Sequence, residues 1–187
     1  MLPKSLIVLT FGYHYNQPLN QNVLPNLLQR LTFGSYYDQL LNQNVLPNSL
    51  LHLTFGQNYN QPLNQNVLPN SLVSLTFGRR YNQQLSENVL PNSLKTLIFD
   101  LNYDRQFTEN ILPIFLHTLT LSLSYYHKIN INVIPYSLRT LILKNYRLSF
   151  DNKEVMEHVQ ISKRDIIVPT EFKGAIHYTD IDGIIVE

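Results

Sequence analysis

Pro47-Asn48-Ser49-Leu50-Leu51-His52-Leu53-Thr54-Phe55-Gly56-Gln57-Asn58-Tyr59-Asn60-Gln61-Pro62-Leu63-Asn64-Gln65-Asn66-Val67-Leu68 is one copy of a 22-residue unit that recurs without insertion or deletion. Its start is marked by Leu-Pro or Ile-Pro at Leu2-Pro3, Leu24-Pro25, Leu46-Pro47, Leu68-Pro69, Leu90-Pro91, Leu112-Pro113 and Ile134-Pro135. Constant spacing means one structural unit stacked on copies of itself. The unit is too short for two helices and a turn. It is long enough for one strand and a return path.

Within this copy, Leu53 and Phe55 bracket Thr54 in strict alternation, which is strand periodicity, and Leu50 precedes them. The same pattern reads Leu6/Leu9/Phe11, Leu28/Leu31/Phe33, Leu72/Leu75/Phe77, Leu94/Leu97/Phe99, Leu116/Leu119/Leu121 and Leu138/Leu141/Leu143. Each coil is therefore expected to give one short strand with Leu and Phe inward. Thr10, Thr32, Thr54, Thr76, Ile98, Thr120 and Ile142 then point outward, and all are β-branched residues that suit a pleated surface. Gly12, Gly34, Gly56 and Gly78 follow the strand where the chain should turn, but Asp100, Ser122 and Lys144 replace them later. A positive φ is thus not required there.

The return path carries a tyrosine column (Tyr15, Tyr37, Tyr59, Tyr81, Tyr103, Tyr125), expected to be core. An asparagine column (Asn22, Asn44, Asn66, Asn88, Asn110, Asn132) is expected to cap backbone groups at a turn and to form an internal ladder. The path is rich in Asn, Gln and Pro and has no helical period. Extended chain or 3₁₀ turns are expected instead of α-helix. No coil can bury its apolar side chains alone, so neighbours must share one core.

Composition fits an ordered domain of 187 residues, with 44% hydrophobic residues and net charge +1. That charge gives no electrostatic case for nucleic acid. The chain has no cysteine, which excludes disulfides, thiolate metal sites and cysteine nucleophiles. No stretch approaches the roughly 18 apolar residues of a membrane span. Met1 enters the first unit directly, so no signal peptide is expected, and no asparagine begins an N-x-Ser/Thr sequon. An intracellular setting is expected, in the cytoplasm (that of the host if the chain is viral).

Motifs of catalysis are missing. The histidines show no metal-ligand spacing, and no P-loop, dinucleotide or nucleophile-elbow motif occurs. Asp180-x-Asp182-Gly183 mimics part of a calcium loop, but Asp182-Gly183 reads better as a hairpin turn. Neither cofactor nor metal is expected.

The unit L-T-F-G-x-x-Y-N-Q-P-L-x-x-x-V-L-P-N-S-L resembles the FNIP repeat, also called IP22, of social amoebae and giant DNA viruses. Leu28-x-x-Leu31-x-Phe33 is similar to the core of the leucine-rich repeat, whose length range also fits. The asparagine that usually follows is not a constant column: His14, Tyr36, Arg80 and Ser124 stand in its place, and only Asn58 and Asn102 keep it. The resemblance implies a leucine-rich-repeat-like solenoid with a parallel sheet and a mostly non-helical convex side. It implies recognition of an unknown protein partner, and no catalysis. Many family members carry an F-box that docks a target receptor onto a ubiquitin ligase; this chain shows none.

Residues 1–144 therefore form the solenoid, and residues 145–187 a mixed α/β capping segment. In the latter, Asp151 to Val159 could open a helix, and Ile166-Ile167-Val168 and Ala175 to Tyr178 read as strands. The expected contact surface is the strand face, including Val8, Arg30, His52, Ser74, Thr96, Thr118 and Thr140. Its least repetitive side chains carry specificity, because invariant ones serve the stack. Arg30, His52, Arg79 and Arg80 are the candidate partner-binding residues. At the other end Leu6, Leu9 and Phe11 are expected to lie open beside an unpaired strand edge, favouring a two-fold homodimer. Two other readings stand beside a partner-binding module. One is a self-associating assembly component. The other is a substrate receptor that reaches a ubiquitin ligase through a separate adaptor.

Overall fold

The computed structural model describes residues 2–144 and, beyond them, the backbone of Asp165–Ile167, Tyr178–Thr179 and Ile185–Val186. Every coil supplies one strand where the Leu-x-Phe alternation lies. The strands are β1 (Val8–Thr10), β2 (Arg30–Thr32), β3 (His52–Thr54), β4 (Ser74–Thr76), β5 (Thr96–Ile98), β6 (Thr118–Leu121) and β7 (Thr140–Leu143). They pair in parallel and in sequence order, in a register that aligns Leu9, Leu31, Leu53, Leu75, Leu97, Leu119 and Leu141. An eighth strand, β8 (Asp165–Ile167), extends the same sheet beside β7. The last two, β9 (Tyr178–Thr179) and β10 (Ile185–Val186), form a separate antiparallel pair. The expected helix over Asp151 to Val159 and the Asp182-Gly183 turn lie outside the described residues.

Between strands the chain returns through turns. The single helical turn among the described residues is 3₁₀, Ile131–Val133. Backbone bonds continue the ladder past the strands: the amides of Asn58, Arg80 and Asn102 donate to the carbonyls of Ser35, Gln57 and Arg79 at 2.9–3.0 Å.

The core is a set of columns running the length of the stack. The Leu and Phe columns are buried from the second coil onward, as is the tyrosine column. Within a coil Phe and Tyr rings stack at 3.8–4.0 Å between centroids. Along the stack Phe rings repeat at 5.2–5.6 Å and Tyr rings at 6.1–6.4 Å, nearly parallel. The rung spacing of about 4.8 Å set by the sheet puts successive rings within attractive range. The hydroxyls of Tyr37, Tyr59, Tyr81 and Tyr103 are buried without a hydrogen-bond partner among the described residues. Nothing in the structure explains why these positions hold tyrosine and not phenylalanine.

Two columns work differently from the sequence expectation. Asn22, Asn44, Asn66, Asn88 and Asn110 are exposed, with φ of 62–65°. They form no internal amide ladder. Asparagine recurs because its short polar side chain tolerates the left-handed conformation better than other L-residues. The internal ladder runs instead through the residue after each tyrosine. Oδ1 of Asn16, Asp38, Asn60, Asn82 and Asp104 each accepts the backbone N–H one coil on, at 2.9–3.0 Å. A parallel serine column donates from Ser49, Ser71, Ser93 and Ser137 to the previous coil's carbonyl at 2.7 Å.

Candidate functional site

The outward side of the sheet is a surface of paired columns. One runs Val8, Arg30, His52, Ser74, Thr96, Thr118 and Thr140, and the other runs Thr10, Thr32, Thr54, Thr76, Ile98, Thr120 and Ile142. Between them the central Leu of each strand points into the core and is buried from β2 onward. Side chains on this face stand one rung apart, fixed by the sheet and not by loops.

Arg30 and His52 are brought together: they are direct neighbours in the β2–β3 register. Burial first, and the Arg30 guanidinium second, push the His52 imidazole below its usual pKa. Near neutral pH this pair is one fixed cation beside a neutral ring that can both donate and accept. Arg79 and Arg80 are not on that face. They lie in the turn after Gly78, exposed, beyond the C-terminal end of β4. Arg79 Nε is 3.8 Å from Asp100 Oδ2, and Lys144 Nζ is 3.5 Å from Asp100 Oδ1. Arg79 is therefore already partly neutralised within the stack.

Two surface groupings had not been singled out in the sequence. At the turns of the first two coils, Tyr13, His14 and Tyr36 form an aromatic cluster with centroids 4.9–5.3 Å apart. In the fifth to seventh coils, Lys95, His117 and Arg139 stack in one column beside exposed Ile114, Phe115 and Tyr136. Among the described residues no group of three or more His, Cys, Asp or Glu could hold a metal ion, and no helix is long and apolar enough to cross a membrane.

The FNIP Repeat model matches residues 1–36, 15–58, 59–102 and 103–146. The chain belongs to the FNIP repeat family. Among solved structures, the FNIP stack is similar to CroV588, a giant-virus protein described as "a novel circular LRR protein structure". That similarity has 50% sequence identity and a TM-score of 0.76, and it covers 78% of this chain. The chain spans 22% of the length of CroV588. No curated protein matches the chain significantly.

The FNIP consensus itself points to the late grouping. Pro-Asn-Ser becomes Pro113-Ile114-Phe115 and then Pro135-Tyr136-Ser137. Exposed asparagine is thus exchanged for Ile114 and Tyr136, and the serine bonded in the fifth and seventh coils for Phe115 in the sixth.

Proposed function

We propose that this FNIP solenoid is a non-enzymatic module that binds a partner protein through its strand face. The observation that carries the reading is the column from Val8 to Thr140. It stands on a rigid sheet, faces outward, and varies in chemistry while the columns beneath it hold constant. Regular arrays of this kind favour recognition by a broad surface over catalysis in a pocket. Arg30 and His52 are its most distinctive neighbouring pair; Arg79 and Arg80 would act from the rim. Affinity purification with mass spectrometry should yield a partner. Arg30→Glu with His52→Glu should then weaken its binding at least tenfold, whereas unchanged binding removes this face from the reading. Ligase subunits among the captured proteins would mark it as a substrate receptor. The setting proposed is intracellular.

Self-association is the second reading, and a specific contrast favours it. Leu6, Leu9, Phe11 and Tyr15 are only half-buried, while their counterparts in later coils are fully buried. The outer edge of β1 has no neighbour among the described strands. A second copy covering this end would bury both features. Sedimentation velocity of residues 1–187 at roughly tens of micromolar should show a dimer that Leu9→Asp dissociates; a monomer throughout that range removes this reading.

A further inference from the structure

Outside the strand face, a groove crosses the coils on the side where each unit begins. It is about 680 Å³ in volume and stretches from Asn66 to Tyr136. The rung spacing of about 4.8 Å makes it roughly 15–20 Å long, the span of five or six residues of extended chain. Asparagine side chains line it in successive coils, among them Asn88, Asn92 and Asn110. Amides at this spacing offer a donor and an acceptor at every rung, which suits an extended backbone.

At the sixth and seventh coils Ile114 and Tyr136 line the end of the groove, and Phe115, Lys95, His117 and Arg139 lie outside its lining, on the surface beside it. Ile114 and Phe115 are 60% and 51% exposed. They break the polar Asn-Ser pattern, and Phe115 gives up the hydrogen bond that serine donates to the previous coil at this position in the third, fourth, fifth and seventh coils. Lys95 Nζ sits 4.7 Å from the Phe115 ring centroid. Lys95, His117 and Arg139 occupy successive rungs: the His117 amide donates to the Lys95 carbonyl and the Arg139 amide to the His117 carbonyl, both at 2.8 Å. Neither Lys95 nor Arg139 forms an ion pair among the described residues, unlike Arg79 and Lys144. The carboxylate nearest in the groove, Glu87, lines its opposite end. Lys95 and Arg139 thus stand without a carboxylate partner among the described residues. Burial first, and then Arg139 and Lys95, lower the His117 pKa.

We propose that this end of the groove and the surface beside it dock an extended, acidic peptide segment of a partner protein, with an apolar side chain on Ile114 and Phe115 and carboxylates on Lys95 and Arg139. Charge complementarity selects the occupant. A basic segment meets two cations that have no carboxylate partner among the described residues, and a purely apolar one leaves them so. The pocket of exposed aromatic and aliphatic surface supplies the anchor.

The test uses residues 1–187 and a fluorescein-labelled peptide, Glu-Leu-Glu-Phe-Glu-Leu-Glu, followed by fluorescence anisotropy. Saturable binding is expected, at least tenfold tighter than for the peptide with Lys at every Glu position. Lys95→Glu with Arg139→Glu should weaken it at least tenfold, and Phe115→Ala severalfold. Lys95→Gln with Arg139→Gln repeats the test without reversing charge, in case the reversed variant folds poorly. Arg30→Glu should leave peptide binding unchanged, which separates this site from the strand face. No saturable binding, equal binding of the Lys peptide, or indifference to both double variants would overturn the proposal. So would a signal accompanied by dimerisation that the double variants abolish, since the occupant would then be a second copy.

Discussion

Gly56→Ala adds one methyl group to a position with no room for it. A Cβ there would lie 1.9 Å from the carbonyl oxygen of Gly34 and 2.5 Å from its carbon. Real Cβ atoms stay beyond 3.0 Å, so one coil must retreat from the next by about 1.1 Å. That is nearly a quarter of the roughly 4.8 Å rung spacing. The opposing atoms are backbone, so no side chain can rotate away. A shift of this size also breaks the adjoining bond from the Asn58 amide to the Ser35 carbonyl, now 2.9 Å. Overpacking costs about 1–3 kcal/mol and a lost inter-coil bond adds about 1 kcal/mol, so the loss should be roughly 2–4 kcal/mol. Gly12→Ala is the internal control, because a Cβ there meets nothing within 4 Å. Its effect should stay within about 0.5 kcal/mol, or be slightly stabilising through the unfolded chain. Urea unfolding followed by circular dichroism measures both. Equal midpoints for the two variants would refute the close-approach argument, since both remove the same backbone freedom.

Three further outcomes follow from the columns. Asn66→Ala should cost about 1 kcal/mol in urea unfolding and Asn66→Gly well under that, because φ is 63° and the side chain is exposed. If Ala and Gly behave alike there, the left-handed backbone is not what asparagine serves. Asn60→Ala strands the Asn82 amide it now accepts at 2.9 Å and should cost about 1–3 kcal/mol, while Asn60→Asp should be nearly neutral, as Asp38 and Asp104 fill the same role. Burial raises the pKa of the tyrosine column, that of Tyr125 to about 12. Below pH 10 that contribution is intact. Above it the unfolded chain releases phenolic protons that the folded chain keeps, so stability should fall as pH rises from 10 towards 12. Tyr59→Phe should raise the urea midpoint at neutral pH and flatten the alkaline loss; a lower midpoint would mean its hydroxyl has a stabilising partner.

Much of the fold was legible because the period never slips. Alternation within Leu53-Thr54-Phe55 gave the strand, and exact recurrence aligned Leu31 with Leu53 and Leu75. The tyrosine column was legible as core for the same reason. What stayed hidden depends on distances between coils, which a period does not encode. Gly34, Gly56 and Gly78 are needed for close backbone approach and not for φ, and the late replacements Asp100, Ser122 and Lys144 obscured this. The acceptor ladder was masked because Asn and Asp differ in charge while presenting the same Oδ1. Arg79 reads in sequence as a partner-binding candidate, and only stacking brings Asp100 within 3.8 Å of it.

Invariance in this chain is consumed by stacking, and that constrains where recognition can lie. A substitution at Leu53 or Tyr59 disturbs both neighbouring coils at once, since each packs on the next. Such columns cannot vary to suit a partner. Exposed columns are free to vary, yet most of them also keep the consensus. Departures occur early, as Lys4 for Asn and Leu27 for Ser, and again late: Asp100 and Lys144 replace glycine, Ile114 and Phe115 replace Asn and Ser, and Tyr136 replaces Asn. The glycine replacements are internally satisfied, Asp100 holding both Arg79 and Lys144. The set of Ile114, Phe115 and Tyr136 leaves apolar area exposed, with the Lys95 ammonium over the Phe115 ring. A departure that the stack repays needs no partner; one that leaves the free chain worse solvated does. By that reasoning the peptide site at Phe115 has a stronger physical claim on a ligand than the rim at Arg79 and Arg80. In a captured complex, Phe115→Ala should therefore weaken partner binding more than Arg79→Ala, and the reverse order would undo the inference from repeat decay to recognition.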